Sequence, residues 1–541
     1  MTTDLHYLSI AEAARLMAAG RLSPVELTGA FLARIEALNP TLNAYLTITA
    51  ERALEQARAA EAAIARDGPR GPLHGVPFGL KDIYDTRGIR TTAHSALLAD
   101  RVPQADAACA ERLAAAGAIL LGKLATHEFA TGGPAYDLPA PPACNPWLLD
   151  RFPGGSSSGA AAAVAAGLAP AALGSDTGGS IRLPAAYCGL AGIKPSYGRV
   201  SKRGVLPLSW TLDNCGPLTW SVEDAAIMLQ AIAGHDALDP SSCDVAVPDF
   251  RAALEEGIAG MRIGVVRHFY ESDCRASDET IAAMDAAIEL LCRLGARPVD
   301  VTLAPLDDYQ ACYRAIMLAE SFAIHAADLR AHPERYSAVT RYRVLPGAFM
   351  SAADYVNALR FQRALIARAR DAMRGLDALV TATTYGPAPV QAAMRRDAAF
   401  ARPPLTNPFN ILQLPAMNVC NGFSPEDLPL GMQVVGHPFD ETRVLRIARA
   451  YERDTPWRER RPSLARPAVS AVLQPHAVDA ASVAPARMAR YRVLAEHAGL
   501  HLDDAQLAEL CEAMTHVERL HARIPHGRNY ADCPSTVFRH G

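Results

Sequence analysis

Apolar side chains alternate from residue 73 to 84, with Val76, Phe78 and Leu80 on one side, which predicts a strand carrying Lys81 and Asp82 to opposite faces. A second strand is expected at "AILLGKLAT" (118–126), and the intervening "DAACAERLAAAG" (106–117) has helical spacing. Strand, helix, strand in succession points to an α/β layered domain. The first sixty residues read as helices. Ser9-x-x-Glu12 and Ser23-Pro24-x-Glu26 both have the form of a capping box, the second with proline at the first helical position. Further strands are expected at "RIGVVRHF" (262–269), "ALVTATTY" (378–385) and "LPLGMQVVGHP" (428–438). After Trp457 periodicity is lost in a stretch rich in proline, alanine, serine and valine, which reads as a linker. From Met488 two amphipathic helices follow, separated by a Gly-Leu turn, the second opening on Asp503 or Asp504. This divides the chain into a catalytic domain (1–460), a linker (461–487) and a helical tail (488–541). The tail is too small to hold a core alone and is expected to dock on the domain.

At 541 residues the chain is long for one core, which suits a large domain with an appendage. Alanine dominates the apolar set and aromatics make up only 6%, favouring closely packed helices over a β-sandwich core. The start of the chain lacks a basic region ahead of an apolar stretch, and the alanine-rich run at 160–173 is broken by Gly167 and Pro170. Neither reads as a secretory signal or a membrane span, so a cytoplasmic protein without a membrane partner is expected. The formal net charge of -4, 53 basic against 57 acidic residues, offers no footprint for nucleic acid, and no nucleic-acid partner is expected. Eleven scattered cysteines form no Cys-x-x-Cys pair and read as buried, reduced thiols. No Cys or His cluster has zinc spacing, and neither metal nor cofactor is expected.

Candidate chemistry lies in "GSDTGGSIRLPAAYCG" (174–189), where Gly178 and Gly179 stand immediately before Ser180. Glycines let peptide N–H groups approach a ligand closely, and beside a hydroxyl nucleophile such a turn can hold an oxyanion; an ordinary turn is the equal alternative. Upstream, Gly155 to Gly159 matches Gly-x-Ser-x-Gly around Ser157, but a nucleophile elbow must follow a strand and "NPWLLDRFPGG" makes a poor one. A histidine base would fall to His437 in "VVGHP". Lysine occurs only at positions 81, 123, 194 and 202, leaving 49 arginines. A lysine kept in so arginine-rich a chain can do what arginine cannot, namely lose its proton when desolvated. Lys202 reads as a solvated turn residue, Lys123 and Lys194 as equally consistent with structural roles. Lys81 is either near a surface edge or buried and shifted towards neutrality.

"LHGVPFGLKD", "NPWLLDRFPGGSSSGAAAAVAAG", "LGSDTGGSIRLPAAYCGLAGIKPSYGRVS", "LDNCGPLTWSVEDA" and "GMQVVGHPFDETRVLRIARAYE", in this order over about residues 5–460, resemble the amidase signature family. The resemblance implies an α/β fold with a large mixed β-sheet covered by helices on both faces, here with a small helical C-terminal appendage. It implies a serine amidohydrolase in which Ser180 is the nucleophile, Ser156, joined through a cis peptide, relays its proton, and Lys81 is the base. Thr177, Gly178, Gly179 and Ser180 would supply the oxyanion hole, with Ser157, Asp176 and Arg182 in support. The substrate would be a small-molecule amide or urea-type compound, held by residues from 126–147, 310–350 and 381–412, and homo-oligomerisation is left open. The tail, with "PSTVF" after it, resembles the small helical partner of certain amidases, including the C subunit of tRNA-dependent amidotransferases and the small partner of 1-carboxybiuret hydrolase. The alternative is a glutamine-dependent tRNA amidotransferase A-type subunit. Such subunits commonly carry glutamine where this chain has Leu183, and a fused tail would make a separate C subunit redundant. A non-catalytic scaffold would be signalled by loss of Lys81, Ser156 or Ser180, and all three are present.

Overall fold

The computed structural model describes residues 4–464 and 480–525. Its eleven strands are β1 (Tyr45–Ile48), β2 (Pro77–Lys81), β3 (Ile119–Leu124), β4 (Ala171–Asp176), β5 (Ala191–Lys194), β6 (Asn214–Thr219), β7 (Arg262–Val265), β8 (Arg297–Asp300), β9 (Ala378–Ala382), β10 (Ala416–Phe423) and β11 (Pro429–Val435). They form one mixed sheet in the order β1-β3-β2-β4-β6-β5-β10-β11-β9-β7-β8. The sheet is α/β, as expected, with a core on each face. Leu120, Ala171 and Leu173 join one apolar cluster, while their neighbours Ile119, Leu121 and Ala172 join the other, as the period of two requires.

All five expected strands are present, but six more were not legible. β4, β5 and β6 are buried along their whole length, and a strand covered on both faces loses the alternation that would reveal it. The N-terminal stretch also departs from an all-helical reading. The helix Pro24–Leu42 ends on Asn43 in the left-handed conformation, φ 50°. Asn39 then accepts from the Tyr45 N–H at 2.7 Å and donates to its carbonyl at 3.1 Å, turning the chain into edge strand β1. The Ser9 capping box closes reciprocally. At Ser23 only half of the motif forms: its hydroxyl accepts from the Val25 and Glu26 N–H groups and donates to Glu61, while the Glu26 side chain does not accept from the Ser23 N–H.

The tail forms helices Pro485–His497 and Asp504–His521, the latter capped by Asp503 in a box with Gln506. The second packs against the helices Leu306–Ala331 and Ala338–Val344 and the turn Leu345–Phe349. The greater part of the expected linker (465–479), and the tail beyond 525 including "PSTVF", lie outside the described residues. Of the ten described cysteines, all free, five are buried, four are half-buried and Cys292 is exposed, so the expectation of uniformly buried thiols is corrected. Among the described residues no helix is long and apolar enough to cross a membrane.

Candidate active site

β2 runs parallel to β4, with Gly79 opposite Ala172 and Leu80 opposite Leu173, so Lys81 and the loop after Asp176 emerge at the same end of the sheet. Lys81 is fully buried. Its Nζ lies 2.8 Å from Ser156 Oγ, 2.8 Å from Ser175 Oγ and 3.1 Å from Ser157 Oγ. Burial lowers its pKa to about 7, against the pull of Asp213 and Asp176. Asp82 does face elsewhere, lying 3.7 Å from Lys123 and accepting from Thr92. Burial lowers Lys123 to about 8 and Lys194 to about 7, but their ammonium groups are spent on structural oxygens: Tyr84 O and Thr91 Oγ1 for Lys123, Pro195 O for Lys194. Half-buried Lys202 bonds Trp210 O and the Tyr197 hydroxyl.

The Gly155–Ser156 peptide is cis. Ser157 is fully buried, bridging Lys81 and the Ser175 backbone, so it braces the lysine and is not exposed as an elbow serine would be. Ser180 and Ser156 share a cavity of about 560 Å³ with Gly178, His127, Leu183 and Arg343. Among the described residues Ser180 Oγ makes no hydrogen bond, to Ser156 or to any other group.

The loop after β4 is held from below by Asp176, whose carboxylate accepts from the N–H groups of Gly179 (2.7 Å), Ile181 (3.1 Å) and Arg182 (3.4 Å). Burial pushes this carboxyl up, but Arg182, also fully buried, holds it down at about 2. Arg182 reaches onward to Thr406 O, Gln433 and Asn410. One oxyanion expectation is thereby corrected: the Gly179 N–H is committed to Asp176 and is not free for a ligand, whereas those of Gly178 and Ser180 have no protein acceptor among the described residues. The Thr177 hydroxyl donates to Asp213 at 2.6 Å. Glycine is required at both positions for space. A Cβ at 178 would stand 2.6 Å from the Tyr313 hydroxyl, and one at 179, where φ is +132°, 2.2 Å from Thr406 Oγ1.

Several cavity residues carried no legible signal. His127, its Nδ1 3.1 Å from Gly132 O and its ring stacked on Phe152, is lowered to about 3 by burial and nearby Arg343, and so is neutral. Arg343 has a buried Nε with no partner and makes no ion pair among the described residues; burial and then repulsion from Arg314 lower it to about 9. His437 bonds Leu376 O and is not on the cavity wall. A larger open cavity, about 1130 Å³, is lined by Ser175, Asp213 and exposed Trp210. Ser180 is absent from its wall and lies on that of the smaller one.

Residues 26–445 match the family model described as Amidase. The A-type subunit of glutamyl-tRNA(Gln) amidotransferase from Chloroflexus aggregans is 42% identical, covering 86% of this chain and 100% of its own length. The solved structure of the corresponding subunit of Thermotoga maritima is 33% identical, with a TM-score of 0.71 over 84% of this chain and 96% of that one. A structure described as a vestigial protein complex revealing the origins of an s-triazine catabolic enzyme is 33% identical, with a TM-score of 0.77 over 82% and 98%. The two amidotransferase relatives correct the expectation of a chain with no nucleic-acid partner: they are subunits, of an enzyme named for a tRNA. Net charge misled because it sums a whole surface, and one member of an assembly need not carry the assembly's polyanion footprint itself. These relatives also favour the amidotransferase alternative over a free-standing amidohydrolase.

Proposed function

The chain belongs to the amidase signature family, and on that premise we propose that it cleaves the carboxamide of glutamine or a closely similar amide, as an A-type subunit of a tRNA-dependent amidotransferase working in the cytoplasm. Ser180 Oγ attacks the amide carbon while its proton passes to Ser156, whose own proton passes to neutral Lys81. Negative charge gathers on the carbonyl oxygen, which the Gly178 and Ser180 N–H groups receive. Collapse of the tetrahedral adduct breaks the C–N bond, and the proton returns through Ser156 to the departing ammonia. Water then attacks the Ser180 ester by the same relay, releasing the acid.

The observation that carries this reading is the meeting, in one cavity, of Ser156, itself bonded to Lys81 behind the wall, with Ser180 and an arginine without a carboxylate partner among the described residues. An unpaired guanidinium in a partly desolvated wall favours a substrate that brings its own carboxylate, and glutamine does. We expect purified protein to release ammonia from L-glutamine in preference to propionamide. Arg343→Met should raise KM for glutamine about tenfold or more while leaving turnover of propionamide nearly unchanged. Equal losses on both substrates would dismiss Arg343 as a carboxylate anchor. A free-standing hydrolase of another small amide is the second reading, favoured by apolar Leu183 on the cavity wall. Rapid ammonia release from a different amide, with glutamine inert, would establish it.

A further inference from the structure

One wall of the Ser180 cavity is built by Ala393, Met394, Arg395, Ala398 and Arg402, from a segment with little regular structure: a single turn at Gln391–Ala393 and a four-residue helix at Ala398–Ala401. Backbone hydrogen bonding alone holds such a segment weakly. Its ends are tied to the domain, Gln391 N–H to Asp150 O and Arg402 to Cys274 Sγ and Arg275 O, while the anchors of its middle come from the tail helix Asp504–His521. Arg396 Nη1 donates to Glu509 Oε1 at 3.4 Å, and its Nε lies 3.8 Å from Glu512. His516 Nε2 lies 3.8 Å from Asp397, and its ring stacks on Phe400 with 6.0 Å between centroids and 19° between planes. Arg519 donates to the Phe400 carbonyl at 3.1 Å. Phe400 in turn meets Tyr342 edge-on and lies under the guanidinium of cavity residue Arg314, 4.6 Å from its ring centre.

Glu509 is the centre of this arrangement. It is buried, 7% exposed, and besides Arg396 it lies 3.6 Å from Arg341, two residues before Arg343 on the helix Ala338–Val344. One tail carboxylate therefore joins two separate parts of the cavity wall, the 391–402 segment and the helix bearing Arg343. Burial pushes its pKa up while both arginines oppose that push.

We propose that the tail helix is part of the substrate site, with Glu509 a positioning residue that clamps the 391–402 segment against the Arg343 helix and so sets how firmly substrate is held, without entering the chemistry. The clamp stands on packing and is independent of which amide is cleaved; only its kinetic readout rests on the function proposed above. The test uses the full chain with Glu509→Gln, which keeps shape and removes charge, and Arg396→Met, which cuts the same link from the other side. Trypsin cleavage after Arg395 or Arg396 (after Arg395 in the second variant), mapped by mass spectrometry, should accelerate about tenfold or more in both, as expected for a locally released segment. For L-glutamine, KM should rise about fivefold with kcat within about twofold, and the double variant should be no worse than the worse single one. Labelling of Ser180 by a fluorophosphonate should keep its rate. Unchanged cleavage and KM in both variants would overturn the proposal. So would a joint fall of kcat, labelling rate and melting temperature, which marks a mere structural brace. If the parent protein leaves glutamine untouched, the assignment of glutamine fails, and the cleavage and melting measurements still decide the clamp.

Discussion

If Lys81 is the base proposed above, its surroundings set the pH range of the reaction. Its pKa near 7 instead of 10.5 follows from burial that Asp213 and Asp176 only partly offset, so above pH 7 its neutral form is available to accept a proton. Acylation of Ser180 should therefore fall as pH drops through about 7, measured as the rate of fluorophosphonate labelling across pH 5.5–9. Lys81→Arg keeps a cation but cannot offer a neutral amine, and labelling should slow by about a hundredfold or more while the fold survives. A folded, fully active arginine variant would show that the residue serves only as a charge. The same shift has a sign in stability. Between pH 7 and 10.5 the unfolded chain holds a proton on this lysine that the folded chain has released, so the stability of the parent relative to Lys81→Met should grow as pH rises through that window and level off above it. Urea midpoints of the two proteins at pH 7, 8.5 and 10 would show it; a difference that stays constant across this range would mean the lysine stays charged when folded.

The loop between β4 and the helix Arg182–Cys188 converts such residues into a site, and its tolerance is smallest at its glycines. In Gly178→Ala the new methyl would meet the Tyr313 hydroxyl at 2.6 Å and Asn407 Oδ1 at 2.8 Å, so the peptide must shift and carry its N–H with it. Misplacing one oxyanion donor costs about a hundred- to a thousandfold in kcat, and that loss is expected with KM for glutamine changed much less. A rise in KM alone, with kcat intact, would place the donor elsewhere. The need for glycine at 178 and 179 was visible in the sequence, but as an oxyanion device; the structure adds that Thr406, Tyr313 and Asn407 crowd the turn and that Asp176 takes the Gly179 N–H. Lys81, Ser156 and Ser180 were named through motif resemblance, and Lys81 also through the scarcity of lysine. Arg343, His127 and Ser175 were not. They come to Lys81 and Ser180 from distant segments or stand as single polar residues in apolar runs, and nothing in their spacing distinguishes them from the other arginines, histidines and serines. Strand β4 was hidden for a related reason: "AALGSD" is enclosed on both faces and follows an alanine-rich helix, Ser158–Ala165, of the same composition.

At the scale of the whole molecule, the tail is bound to the domain by more than ion pairs. Leu507, Leu510, Met514, Val517 and Leu520 are all buried along one helix that packs on the Leu306–Ala331 and Ala338–Val344 helices. At about 1.5–3 kcal/mol for each large apolar side chain fully removed from water, a figure that is an upper bound, this burial is comparable with the whole net stability of an ordinary domain, about 5–15 kcal/mol. The family match ends at residue 445, before these helices begin, and we propose that they are a docked module with the form of a separable partner. A chain ending at residue 464 should then melt several degrees lower, by roughly the 2–4 °C per kcal/mol typical of large domains, and bind a hydrophobic dye through the uncovered helices. Supplying residues 480–541 as a separate polypeptide should restore the melting temperature and abolish dye binding, with a midpoint that depends on its concentration. Restoration in trans would establish a module whose covalent link only raises its effective concentration. If the shortened chain instead melts like the full one and binds no dye, the domain is closed without its tail, and the contacts that tie Glu509 and His516 to the cavity wall contribute nothing to holding the molecule together.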